Sequence, residues 1–210
     1  MSINLDPIQK VATTNIRENG RSISAENHYK KGLEFYNKRR IEDAVFELQL
    51  AVEFDPNNVS AHLLLGAIYH NLIHQNFKYF EKAILEFNEI LKIDPENEEA
   101  IAGLASGYFI TEDYENAIFY FEKILALPKA EFSAMSKKDV HSTLGFSYYK
   151  LASKRSVLED IEVYLVKASG HLKKVLELDP DDKTVKEILK KTEEMLDAIA
   201  KAKKDRIRKP

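Results

Sequence analysis

Apolar residues recur along this chain at helical spacing, and each run is cut short by a proline. The stops are Asp55-Pro56, Asp94-Pro95, Leu127-Pro128 and Asp179-Pro180. Ahead of each comes the same order: a small residue, an aromatic or leucine four positions on, then an apolar residue three further. The copies read Ala44, Leu48, Ala51; Ala83, Phe87, Ile90; Ala117, Phe121, Ile124; and Ala168, Leu172, Val175. In the third copy the proline comes one place early. Steps of four and three keep residues on one helical face. Proline ends such a helix because it lacks an amide donor and clashes with the preceding turn.

Each of these helices is preceded by another with a small residue at a fixed place: Gly32, Gly66, Ala105 and Gly145. That is where two helices would cross, and a larger side chain would hold the backbones apart. An aromatic follows three residues on, at Phe35, Tyr69, Tyr108 and Tyr148, and is expected to face the small slot of the second helix. Two antiparallel helices then bury a shared face. The pattern predicts an all-α solenoid of four helix pairs over 25–182, in units 25–58, 59–97, 98–131 and 138–182. Residues 1–24 read as an N-terminal arm, with a short helix from Pro7 to Arg17 and a break at Asn19-Gly20. Residues 183–210 read as an amphipathic closing helix with a basic tail, since Val185, Ile188, Leu189, Thr192, Met195, Leu196 and Ile199 recur at helical spacing.

Two units are longer than the others. The second carries five extra residues, and register at Gly66 and Ala83 puts them near Asn71–Tyr79. The fourth carries eleven, between Leu151 and Lys167. There Ser156 and Glu159 have capping-box spacing, so the second helix is expected to start near Val157.

These spaced positions resemble the tetratricopeptide repeat family, over about residues 25–182. The third unit fits its 34-residue length without a gap: Leu104, Ala105, Tyr108, Tyr114, Ala117, Ile118, Phe121, Ile124 and Leu125. The resemblance implies a superhelix whose first helices line a concave, peptide-binding groove. In this chain the groove positions would be Tyr29, Leu33 and Tyr36; Leu63, Ala67 and His70; Ala102, Ser106 and Phe109; and Ser142, Phe146 and Tyr149. That surface is aromatic and aliphatic and suits an apolar peptide or an amphipathic helix. A well-known subgroup clamps acidic chaperone tails with Lys, Asn and Arg. The matching positions here hold Tyr29, Leu33, Leu64, Glu99 and Gly103, and Glu99 would repel a carboxylate.

Composition changes this picture little. Without cysteine there is neither a disulfide nor a thiolate metal site. The formal net charge of -3 does not favour wholesale nucleic-acid binding. The charge is uneven, however: residues 183–210 hold ten Lys or Arg against five Asp or Glu. The tail from Lys201 to Lys209 could meet phosphates or an anionic membrane surface, but it reads first as a frayed helix end whose cations suit the helix dipole. No stretch approaches the roughly 20 apolar residues of a membrane span, and no signal peptide is evident. A soluble cytoplasmic protein is the expectation.

No catalytic constellation emerges: there is no glycine-rich phosphate loop, HExxH or nucleophile elbow. His28, His62 and His141 all fall four residues before the crossing slot, where packing is their expected role. His70 and His74, at i and i+4 on the first helix of the second unit, have a spacing that could hold a metal, but no third ligand is evident. His171 is expected at the surface. No enzyme activity, cofactor or small-molecule substrate is expected. The resemblance implies a scaffold or adaptor for a protein partner, of the kind that serves as an assembly factor or co-chaperone. The alternatives are a self-assembling structural protein, in which an arm or tail fills the next copy's groove as a homo-oligomer, and an adaptor that meets a membrane or nucleic acid through the basic tail.

Overall fold

The computed structural model describes residues 6–127 and 135–208, with side chains for 20–127 and 135–205. Among them are nine helices and no strand: α1 (Asp6–Asn37), α2 (Ile41–Phe54), α3 (Val59–Asn71), α4 (Lys78–Ile93), α5 (Glu98–Ile110), α6 (Tyr114–Ala126), α7 (Lys137–Ser153), α8 (Leu158–Leu178) and α9 (Lys183–Arg208). This is the all-α solenoid class expected from the repeat. The helices gather into two compact units, Met1–Ala100 and Ile101–Pro210.

The Asp-Pro stops do more than end a helix. Asp55, Asp94 and Asp179 cap the C-termini of α2, α4 and α8. Each also accepts a backbone N–H two residues on, from Asn57, Glu96 and Asp181. The next residue then caps the following helix: Asn58 accepts from Ala61 N–H, Asn97 from Ala100 N–H and Asp182 from Val185 N–H. Four residues thus stop one helix, turn the chain and start the next, with the orphan amides satisfied by side-chain oxygens. The third stop runs into residues 128–134 and lies outside the described residues.

In the unit Met1–Ala100, α1 packs on α2, α2 on α3 and α3 on α4, and α1 also touches α3. A Cβ at Gly32 would lie 2.6 Å from Leu48 Cγ, and one at Gly66 would lie 2.7 Å from the Phe87 ring. The crossing slot therefore receives the residue four places after the second helix's small residue. α1 corrects one expectation. It runs unbroken through Asn19-Gly20, because a lone glycine inside a helix costs only about 1 kcal/mol and does not by itself stop it. Ser24 donates its hydroxyl to the Gly20 carbonyl at 2.9 Å.

The unit Ile101–Pro210 repeats the logic: α6 packs on α7, α7 on α8 and α8 on α9, and α7 touches α9. A Cβ at Gly145 would lie 2.8 Å from Leu172 Cδ2. Leu172 and Val175 form a buried cluster with Val185 and Leu189 of α9, so the last helix covers the apolar face that α8 would otherwise expose. The expected capping box does not form. α8 begins at Leu158 with Val157 as N-cap and no side-chain cap bond, because Ser156 sits one residue too early.

Candidate functional site

The twelve groove positions divide evenly between the two units. In the first, Tyr29, Leu33 and Tyr36 lie on α1, and Leu63, Ala67 and His70 on α3. Leu33 is exposed and the other five are half-buried. Burial, then the neighbouring His74, pushes the His70 imidazole below its usual range, against a side-chain bond with Asn71. His74 itself lies beyond the end of α3, in the turn, so the two rings do not share a helical face as the sequence suggested. Among the described residues no group of three His, Asp or Glu converges to hold a metal.

In the second unit the six positions are less alike. Ala102 is 6% exposed and offers almost no surface. Ser106 spends its hydroxyl on the Ala102 carbonyl of its own helix, at 2.8 Å. Tyr149 packs against the buried cluster of Ala152, Leu165 and Ile199, inside the contact with the closing helix. Phe109, Ser142 and Phe146 do come together. They line a cleft of about 370 Å³ together with the apolar Leu172, Val185 and Ile188 and the polar Thr143, Asp182 and Thr184. The Phe109 and Phe146 rings meet edge to face at 5.8 Å, and the Lys150 ammonium lies 5.1 Å from the Phe146 centroid.

Sequence reasoning missed what α9 adds to this cleft, having read that helix only as a cover. The signal was available: Thr184, Val185 and Ile188 lie at helical spacing just after the Asp179-Pro180 stop. It also missed the partners of the histidines. His28 meets Glu47 at 2.7 Å, and His62 meets Glu86 at 2.7 Å. His62 Nε2 is also bonded to the Pro56 carbonyl oxygen at 3.0 Å, so both its ring nitrogens are engaged. In the last pair the same register brings His141 Nδ1 to His171 Nδ1 at 3.0 Å. His171 is thus half-buried and paired, not a surface residue.

These partners set the charge of each ring. Burial disfavours charge on His62, but the Glu86 bond and the Pro56 carbonyl outweigh it and raise its pKa. Burial lowers His171 to about 4, with His141 and Lys174 acting in the same direction. Burial, Lys174 and Lys137 also lower His141, against Glu177.

Sequence profiles described as "TPR repeat" and "Tetratricopeptide repeat" match residues 25–72 and 99–130. No curated protein matches in sequence. Among solved structures, the crystal structure of MamA protein superposes with a TM-score of 0.64 at 19% identity, covering 86% of this chain and 88% of MamA. MamA 41-end from Desulfovibrio magneticus RS-1 gives 0.59 at 17% identity, over 89% and 98% of the two chains. Pseudomonas aeruginosa pilF gives 0.56 at 18%, over 87% and 78%. At such identity the likeness is one of fold. The profile matches, together with the crossing glycines and the repeated Asp-Pro connectors, show that this chain carries tetratricopeptide repeats.

Proposed function

We propose that this chain is a non-enzymatic scaffold that holds an apolar segment of a partner protein, a peptide or one face of an amphipathic helix. The observation that carries this reading is the cleft between Phe109, Phe146 and α9. Its lining combines aromatic and branched aliphatic side chains with hydroxyls and Asp182. Such a surface offers apolar anchoring and a polar rim, the usual division of labour in peptide recognition. The test is selection of helical peptides against the full chain, followed by binding to Ser142→Arg, which adds bulk at the cleft without removing a core side chain. Selected peptides should carry apolar residues at i, i+3, i+4 and i+7 and should lose binding to the variant. Equal binding to both proteins would move the site elsewhere.

The length of α1 supports a second reading, self-assembly. It has 32 residues against the 14 of α2, its packing partner. The excess could be shared with another copy. Light scattering of a chain lacking residues 1–24 tests this: smaller particles support it, and an unchanged mass argues for the scaffold alone. The basic tail is less available for an anionic surface than its composition suggests, since Lys203 is paired with Glu162 of α8.

A further inference from the structure

The histidine four residues before each crossing glycine meets the residue three places after the second helix's small residue. In the first two units that residue is a carboxylate, Glu47 or Glu86. In the fourth it is His171. The last pair therefore lacks the internal anion that its relatives in the same chain possess.

The consequence is visible one turn away. Lys137 and His141 on α7, with Lys174, Glu177 and Leu178 on α8, line a pocket of about 170 Å³. His141 is 3% exposed. Its Nδ1 is taken by His171, and no described residue bonds its Nε2, whereas His62 Nε2 has the Pro56 carbonyl. Lys137 and Lys174 make no ion pair with a described residue, while Lys138 beside them is held by Asp179 and Asp182. His141 and two lysines thus line a space with a single carboxylate, Glu177.

A metal does not suit this pair. The ring centroids are 5.2 Å apart and the Nδ1 atoms 3.0 Å, so the rings point at each other end-on. Their lone pairs oppose along a shared hydrogen bond and do not converge on one point. An anion does suit it. If His171 Nδ1–H donates to His141 Nδ1, the remaining proton of His141 lies on Nε2, where it can donate to an oxygen.

We propose that the pocket between the start of α7 and the end of α8 is an oxyanion site, which takes a phosphate or carboxylate group on His141 Nε2–H between Lys137 and Lys174. Charge-assisted bonds to such oxygens are the strong kind. Binding also favours a proton on the His141–His171 pair, whose other charged neighbours are Lys167 on α8 and Glu122 on α6. Affinity therefore rises on acidification. Glu177 opposes the ligand.

The test follows the imidazole NMR signals of the full chain during titration with inorganic phosphate. Sodium acetate is a separate arm, and chloride at equal ionic strength is the control. Acetate carries the same charge at pH 6 and pH 8, so it isolates the protein's own pH response. Saturable shifts at His141 and His171 are expected, several-fold tighter at pH 6 than at pH 8. Lys137→Gln and Lys174→Gln should weaken binding roughly tenfold each, about 1.4 kcal/mol. Glu177→Gln should tighten it. His171→Glu, which restores the carboxylate of the other repeats, should abolish it. Response to phosphate alone assigns a phosphate group, and response to acetate as well admits an acidic side chain. Shifts no larger than those with chloride, or lysine variants that bind like the wild type, overturn the proposal.

Discussion

The two compact units have the same internal plan and spend their extra residues differently. Each contains a regular pair, α1/α2 or α5/α6, joined by a short turn at 38–40 or 111–113. Each then has an expanded pair. In α3/α4 most of the five added residues lie in the turn 72–77, and the rest lengthen the start of α4. In α7/α8 the turn 154–157 is barely longer than normal, and the added residues extend both helices. The histidine slot differs as well, with His62 on a carboxylate and His141 on a second imidazole. One repeat frame thus tolerates length and charge changes at separate places, because the crossing glycine and the Asp-Pro connector hold the register.

The largest effects should come from breaking that frame. Gly145→Val should cost about 3 kcal/mol, since overpacking a tight crossing forces backbone movement. A Cβ there already lies 3.3 Å from the Leu172 backbone nitrogen, which cannot rotate away. Gly66→Val should cost less, because its close neighbours are edge atoms of the Phe87 ring. Denaturant midpoints measured for both variants check the order. Equal losses would mean that the Phe87 ring is as confined as the backbone.

Acid should separate the two pairs. His171 is neutral in both the folded and unfolded chain above its ordinary value near 6.5. As pH falls below that, the unfolded chain binds a proton and the folded one resists until about pH 4, so α7/α8 loses stability across that window. Allowing for partial exposure of the ring, the loss is about 2 kcal/mol. His62 behaves oppositely. Its pKa is raised, so its contribution is complete below the ordinary value and is lost as pH rises through the raised one. Residue-resolved hydrogen exchange at pH 7 and pH 4.5 should show protection falling in α7/α8 and held in α3/α4. His171→Glu should make the two pairs alike.

A smaller contrast lies in how the tyrosine three residues after the crossing glycine reaches back to the previous pair. Tyr69 accepts a bond from Gln49 at 3.2 Å. Tyr148 donates to Glu122 and accepts from Lys167, and burial followed by Glu122 pushes its phenol well above the usual range. Tyr148→Phe should therefore cost about 1.5 kcal/mol and Tyr69→Phe about 0.5 kcal/mol, because bonds to charged groups are the stronger ones. Thermal melts of the two variants measure the gap, and a reversed order would show that the Glu122 and Lys167 bonds contribute little.

The frame was legible because single residues enforce it locally. Proline stops a helix whatever surrounds it, and a crossing glycine is needed wherever two backbones come close. Gly20 and Ser156 misled for the converse reason: a lone glycine and a capping box are weak signals that a continuing helix overrides. The His141–His171 pair was hidden, since its members are 30 residues apart and meet only through the register of α7 against α8. The cleft was half legible. Phe109, Ser142 and Phe146 follow from the repeat, whereas the wall from α9 depends on where the closing helix docks.

The smallest expected effect concerns the regular pairs. Their turns carry Arg39 at φ 60 and Glu112 at φ 59, left-handed positions occupied by residues with a Cβ. Both show the Schellman pattern: Arg40 N–H reaches the Phe35 carbonyl and Asp113 N–H reaches the Tyr108 carbonyl. Glycine is at ease there, so Arg39→Gly should stabilise by about 0.5 kcal/mol after the added freedom of the unfolded chain is subtracted. Glu112→Gly should gain less, because Glu112 also meets Lys154 at 3.7 Å across the surface. The expanded pairs give the control. Leu72 and Lys154, at φ -92, end α3 and α7 in right-handed geometry, so glycine should destabilise by about 0.5 kcal/mol there. If all four glycine variants moved in the same direction, turn geometry would not be what distinguishes the regular pairs from the expanded ones.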